Sequence, residues 1–477
     1  MFFKRPLFFL LLIILLGAFL RFYRIYDLAI FLADQASDSQ AVLQMLRGDF
    51  TLLGPPSSVG GFYNGPIVYY LMLPFYWIFR GEPIAGAVFQ SVFSLATIPF
   101  IYLIGKKLKN ETVGLLASFL FAISPLMIEY SRQGFNSLPA IFFSTLILYL
   151  YLEIVERFST VKITIMGIAI GFIMQMHYLT VTILLFVLTY PFLFKKKLIS
   201  LRYYGFLFVG VIIGLSPYLI FELKHDFLNI RLIIRYFFSA KKVGRSLVPA
   251  FSIWPEVMGK ILFAGSFILG VIGSIGIIGS TVLSFKKKFA SKKYLSVFVY
   301  FFIVVFAAGL LYGGTLNPHY IIVFHTSLFL LFSLALYTFS RGNIRFILFV
   351  SLVLLLLNSL SWNLTSKIPV LQDGLKMKDF EKAATIIKKD PKKVYNVTMH
   401  AQGDNRAMPL RYYLSLLGEN PMPYENYSGA DDLYLIIRKD ERPQDLTIWE
   451  YTSFGPSYEK QKWVVNDDYL LYKLGKK

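Results

Sequence analysis

Residues 21–66 read RFYRIYDLAIFLADQASDSQAVLQMLRGDFTLLGPPSSVGGFYNGP and follow a single apolar segment at the N-terminus. The stretch holds Asp27, Asp34, Asp38 and Asp49 in a chain that is otherwise mostly apolar. A short amphipathic run, 37–47, sits in its middle, and a turn-rich Gly and Pro passage follows. Carboxylates in the first loop of a membrane protein suggest chemistry at the membrane surface, provided the rest of the chain is a membrane protein.

Composition says that it is. Of 477 residues, 56% are hydrophobic and 17% aromatic, and only 16% are charged. Soluble domains carry about a quarter charged residues. Mean hydropathy is +0.59. Cysteine is absent, which excludes disulfides and thiolate chemistry and leaves the redox compartment open. The basic start and apolar run of residues 1–23 lead into Arg21, Phe22 and Tyr23 rather than a small-residue cleavage site, so an uncleaved signal anchor is expected.

Apolar stretches long enough to span, about 17–25 residues each, fall at 6–22, 84–105, 112–129, 138–155, 161–177, 179–194, 203–221, 257–285, 294–313, 320–339 and 344–362. The expectation is a polytopic α-helical membrane protein of about eleven spans. With Lys4 and Arg5 inside, every basic cluster falls on the cytoplasmic side: Lys106, Lys107 and Lys109; Arg157 and Lys162; 195–197 with Arg202; 286–288 with Lys292 and Lys293; and Arg341 with Arg345. The net charge of +20 is thus mainly a topology signal and not a nucleic-acid footprint. Residues 67–79 are apolar but short and contain Pro74. Counting them as a span would reverse the later basic clusters. They are expected to form a surface helix, making 23–83 a first outer loop with two surface helices.

Residues 1–362 then form the transmembrane module, and 363–477 a small soluble α/β domain outside the cytoplasm. Helices are expected at 378–389 and 408–417, and strands at 394–399, 432–438, 447–452 and 469–473.

On this topology the chemistry-bearing residues share the outer face. Asp34 and Asp38 lie in the first loop. Glu129, Arg132, Gln133 and Asn136 follow the third span. His177 and Tyr178 end the fifth, Glu222, Lys224, His225 and Asp226 follow the seventh, and Asn317, His319 and Tyr320 open the tenth. Polar groups near membrane depth are costly and face cavities or water. A carboxylate opposed by Arg, Lys and His suits displacement of an anionic leaving group: the carboxylate takes a proton from an attacking hydroxyl and the cations hold the departing charge. Ordinary roles stand beside these. Asp34 could cap a helix or lie solvated in a loop, Arg132 could snorkel, each histidine could be a satisfied interfacial one, and Lys241, Lys242 and Arg245 suit lipid headgroups. No phosphate-loop or HExxH motif is present. Asp34 and Asp38, at i,i+4, share a helix face and could hold a divalent metal, on a spacing too common to be specific.

Several blocks resemble the membrane-embedded glycosyltransferases of the GT-C fold, specifically the protein mannosyltransferase and aminoarabinose transferase-like group. LRFYRIYDLAIFLADQASDSQAVLQMLRGDF is similar to the family's acidic first-loop motif. GPPSSVGGFYNGPIVYYLMLPFYWIF is similar to its surface helix, and LIGKKLKNETVGLLASFLFAISPLMIEYSRQGFNS to its next two spans and Tyr-Ser-Arg-Gln turn. Weaker similarity continues through QMHYLTVTILL, PYLIFELKHDF and LNPHYIIVFHTSLFLLFSLAL.

The resemblance implies an inverting glycosyltransferase in a prokaryotic plasma membrane. It would move a sugar from a polyprenyl-phosphate carrier to an extracytoplasmic protein, lipid or glycan. It maps the catalytic carboxylate onto Asp34, with Gln35, Asp38, Tyr63 and Asn64 as neighbours. Arg132, Gln133, His177, Tyr178, Lys224, His225, His319 and Tyr320 become candidates for the site rim or the carrier phosphate. Many relatives have Asp-Glu where this chain has Asp34-Gln35, which weakens any metal site and leaves no cofactor firmly implied. The competing classes are a lipid-linked sugar flippase or transporter, and a glycan polymerase or ligase. A transporter would favour charges at midspan and paired repeats, and neither is visible here.

Overall fold

The computed structural model describes residues 5–57, 60–194, 200–239, 248–311, 317–340, 352–358, 360–361, 364 and 374–477. The side chains of 237–239 and 248–250 are outside that set. So are most of the expected eleventh span and the basic residues at 195–197, Lys241, Lys242, Arg245, Arg341 and Arg345.

The chain opens with α1 (Arg5–Phe22), a one-turn α2 (Ile25–Leu28) and α3 (Ala33–Leu46). Next come α4 (Ile67–Ile78), α5 (Ile84–Leu108), α6 (Glu111–Ile123) and α7 (Pro125–Ser131). The bundle continues with α8 (Ala140–Glu156), α9 (Thr160–Met176), α10 (Val181–Phe194), α11 (Leu201–Lys224) and α12 (Leu228–Ser239). It closes with α13 (Val248–Leu262), α14 (Phe267–Lys287), α15 (Lys292–Leu311), a 3-10 turn (Pro318–Phe324) and α16 (His325–Phe339).

Among the described residues, six helices are long and apolar enough to cross a membrane, and a seventh if α6 and α7 are taken as one span bent by 60°. The bend falls at Ser124. Pro125 has no N–H to continue the α6 ladder, while the Ser124 hydroxyl caps α7 at Met127 N and bonds the Ile261 carbonyl at 2.6 Å. Other spans expected from sequence are shorter helices, α9 and α10 among them. α4 has only 12 residues with Pro74 inside, about 18 Å at 1.5 Å per residue. That is too short to cross the hydrocarbon core.

The expected single span at 257–285 is corrected. The chain reverses at Phe263–Ser266, where Ala264 and Gly265 take positive φ (48° and 93°) and the Ser266 hydroxyl caps α14 at Leu269 N. α13 and α14 pack on each other so closely that a Cβ on Gly270 would lie 2.0 Å from the Pro255 carbonyl.

The loops sort into two ends of the bundle. At one end, Lys107 pairs with Glu153 and Glu156 at 2.5 and 2.6 Å, and Lys162 reaches Glu153 at 2.6 Å. Close by in the chain, Ser291 N bonds Leu108 O and Asn110 bonds Tyr337. At the other end, Ile30 N bonds Arg132 O, Gly65 N bonds Gln175 O, Tyr63 N bonds the Asn229 side chain, and His177 meets His319. Basic loops and candidate site residues therefore lie at opposite ends, as the alternation of spans requires.

Residues 374–477 build a four-stranded sheet in the order β1-β2-β4-β3, from β1 (Tyr395–Met399), β2 (Asp432–Arg438), β3 (Ser457–Val464) and β4 (Tyr469–Lys476). Its helices are α17 (Met377–Lys389), α18 (Met408–Leu416) and α19 (Trp449–Phe454). β1 runs parallel to β2, with α18 between them in the chain. Alternation divides the faces: Tyr434 and Ile436 join the core shared with the helical bundle, and Leu433, Leu435 and Ile437 the core under α19.

Two expectations fail here. Residues 447–452, expected as a strand, hold α19, which ends where Gly455 takes φ 98°. The true third strand, SYEKQKWV, was missed because its middle, Glu459 to Lys462, is charged and polar throughout.

Candidate active site

α3 begins after Leu32, with Asp34 in its first turn. The Gln35 side chain accepts from Leu32 N at 3.0 Å and closes the helix start. Gln35 therefore has a local structural use at the start of α3. Asp34 is not the cap. It is exposed, and a carboxylate in a first turn is favoured by the helix dipole.

One turn on, Asp38 is enclosed where Asp34 is open. It is 2% exposed and accepts from the Tyr69 hydroxyl of α4 at 2.8 Å. Burial pushes its carboxyl up to about 8, Tyr69's hydrogen bond opposes this, and the nearby Asp34 adds to it. Ser39 shares a 2.5 Å hydrogen bond with the Tyr76 hydroxyl, so α3 and α4 are joined by two buried polar contacts. The i,i+4 pair is thus split into one open and one buried carboxylate. Among the described residues, no three of His, Asp or Glu converge as metal ligands.

Asp27 is paired with Arg24 at 3.0 Å on the surface. Residues 54–57 and 60–64 pair side by side as a small arm, with Gly54 N on Asn64 O and Ser57 N on Phe62 O. The arm lays Phe62 against Tyr178 and Tyr236 and ties Tyr63 N to Asn229. Tyr63 itself is exposed. Gly65 is required here: a Cβ would sit 2.3 Å from the Gln175 side chain.

The structure brings His177, Tyr178, His319 and Tyr320 together. The His177 ring stacks on Tyr178 at 4.8 Å and meets Tyr320 at 4.9 Å, and His319 lies 6.0 Å from His177 and from Phe135. Phe135 belongs to the 132–136 turn, whose Arg132 carbonyl also bonds Ile30 just ahead of Asp34. This turn is the hinge between the histidine cluster and the aspartate helix. Gln133 bonds Glu129 at 3.4 Å on the same turn.

Two candidates have partners within the protein. Arg132 is 0% exposed; its Nε and Nη2 donate to the carbonyls of Leu20, Arg21 and Tyr23, and its Nη1 has no partner among the described residues. His225 stacks on Phe221 at 4.0 Å and bonds its carbonyl, while Lys224 is exposed beside it. Sequence reading missed Arg21, also 0% exposed, which donates to Ser94 at 2.9 Å and to Ala122 O at 3.0 Å. It also passed over Asn229 and Lys260, which pairs with Glu256 at 2.7 Å. An arginine inside an otherwise apolar helix end was the available signal for Arg21.

Fold and site define a polytopic membrane protein with an open carboxylate on a short helix between its first span and the rest of the bundle. Residues 63–221 match the protein family described as dolichyl-phosphate-mannose-protein mannosyltransferase, a match that begins beyond Asp34. Among solved structures the chain is similar to ArnT from Cupriavidus metallidurans bound to undecaprenyl phosphate. The identity is 11% over 97% of each chain, with a TM-score of 0.66. It is also similar to the oligosaccharyltransferase AglB from Archaeoglobus fulgidus in complex with an inhibitory peptide and a dolichol-phosphate. There the identity is 12% over 91% of this chain and 69% of that one, with a TM-score of 0.55. No curated protein matches in sequence. The chain has the GT-C fold and is similar to the protein mannosyltransferases and ArnT.

Proposed function

We propose that the protein is an inverting glycosyltransferase that takes a sugar from a polyprenyl-phosphate carrier. The carrying observation is Asp34: an exposed carboxylate in the first turn of α3, on a fold shared over nearly its whole length with a protein solved with undecaprenyl phosphate. In this reading the acceptor hydroxyl oxygen attacks the anomeric carbon from the face opposite the phosphate. Its proton passes to the Asp34 carboxylate, the bond from the anomeric carbon to the phosphate oxygen breaks, and the electron pair leaves with the polyprenyl phosphate. With Asp38 buried and bonded to Tyr69, Asp34 is the member of the pair open to a ligand. His177, His319, Tyr178 and Tyr320 line the neighbouring rim in this reading, and Lys224 is an exposed cation at the end of α11.

The same proposal includes about eleven spans, an N-terminus in the cytoplasm of a prokaryotic cell, and the 23–83 loop and the 363–477 domain outside. The acceptor is a hydroxyl of a protein, lipid or glycan. Reconstituted protein with defined polyprenyl-phosphate sugars tests it. Asp34→Asn should lower transfer by about 10²–10⁴-fold with an unchanged thermal midpoint; near-normal turnover would remove Asp34 from the chemistry. The anomeric configuration of the product, read by NMR, tests inversion.

A further inference from the structure

The segment that delivers Asp34 leaves α1 at Phe22 and enters α3 at Ala33, and one residue from elsewhere holds both of its ends. The Arg132 guanidinium donates to Leu20 O at 2.5 Å, to Arg21 O at 3.4 Å and to Tyr23 O at 3.5 Å. The carbonyl of the same residue accepts from Ile30 N at 3.1 Å. The last carbonyls of a helix have no partner within it, and a cation there is favoured by the helix dipole. Arg21 completes the lock by reaching Ala122 O and Ser94, fastening the end of α1 to α6 and α5.

We propose that Arg132 is a positioning residue that clamps residues 20–30 and thereby fixes Asp34, rather than a ligand of the carrier phosphate. A planar guanidinium presents its donors in a fixed fork that reaches several carbonyls, whereas a lysine ammonium is a compact charge on a flexible stem and holds them less rigidly. The side chain is fully enclosed, with Nε and Nη2 engaged. Nη1 has no partner among the described residues, so a bound anion is the alternative that the test must separate.

The proposal rests on the glycosyltransferase reading only for its effect on turnover; the clamp itself is read without activity. The test uses the full chain in lipid nanodiscs, comparing wild type with Arg132→Lys, and with Arg132→Gln as a second variant that keeps an amide donor. Three quantities are followed: backbone amide exchange across residues 24–32, binding of undecaprenyl phosphate, and turnover with a polyprenyl-phosphate sugar. The clamp requires at least tenfold faster exchange at 24–32 in both variants, unchanged exchange in α5, and undecaprenyl phosphate binding within twofold of wild type. Turnover should fall at least tenfold through kcat, with the donor KM unchanged. Unaltered exchange at 24–32 with tenfold weaker undecaprenyl phosphate binding would overturn the clamp and make Arg132 a phosphate ligand. Faster exchange in a protein that shows no transfer, even as wild type, would keep the clamp and discard the glycosyltransferase reading.

Discussion

Asp38 carries the heavier electrostatic burden of the two aspartates on α3. Unfolded, its carboxyl titrates near the ordinary value of about 3.9; folded, burial holds it at about 8. Between those values the folded protein keeps a proton that the unfolded chain releases. This contribution to stability is therefore full below about pH 4 and is lost as pH rises through 8, at about 1.4 kcal/mol per pH unit. Asp38→Asn removes the titrating group. Its thermal midpoint should gain on wild type from pH 5 to about pH 8 and level off above it, and parallel midpoint curves would show that Asp38 does not titrate in this window. The sequence made both aspartates visible and put them on one side of a helix, but their division into open and buried depends on Tyr69, thirty-one positions away in the chain. Arg132 was less legible still. Its position after a span shows a cation near the membrane surface, yet nothing local reveals that the carbonyls it serves belong to α1.

Two helices show how backbone packing escapes an apolarity scan. Gly167 and Gly171 on α9 face Gly210 and Gly214 on α11, each pair four residues apart. Cβ atoms built on Gly167 or Gly214 would come within 2.9–3.0 Å of the opposite glycine Cα, and one on Gly214 would lie 2.4 Å from the Ile168 carbonyl. Small residues at this spacing let membrane helices approach backbone to backbone. Gly214→Val must push the pair apart, and a loss of about 1–3 kcal/mol is expected, read as a lower thermal midpoint in detergent. An unchanged midpoint would mean that the contact is dispensable. The spacing was present in the sequence, but hydropathy measures only how apolar a segment is. The same limit explains residues 257–285, where an uninterrupted apolar average concealed the turn at Phe263–Ser266. It also explains the tail, where β-branched and aromatic residues at 447–452 suggested a strand but Gly455 closes a helix.

Across the whole molecule, the sheet unit is fastened to the helix that bears Asp34. The Tyr412 hydroxyl bonds Gly81 O at 2.5 Å, Gln40 and Arg47 reach Ser415, and Phe31 meets the rings of Tyr412 and Tyr413. The tail must therefore lie on the same side of the membrane as α3. A protease-cleavable tag after Lys477 should be cut from outside intact cells, and protection there with cleavage in inverted vesicles would reverse the orientation of the whole assembly. The sorting of the loops to two ends of the bundle was the most legible property of the chain, because basic residues gather in alternate loops. The docking of the tail was hidden, since its contacts join Gly81 to Tyr412 across most of the chain length.

The glycine contact between α9 and α11 has a consequence for traffic within the membrane. In the proposed glycosyltransferase reading, a polyprenyl chain reaching Asp34 from the bilayer needs a lateral opening between two helices. Where backbones meet at glycine over successive turns, no isoprene unit can slip between them. Under that reading a long lipid enters elsewhere around the bundle, and α9 with α11 forms a wall that it has to pass around.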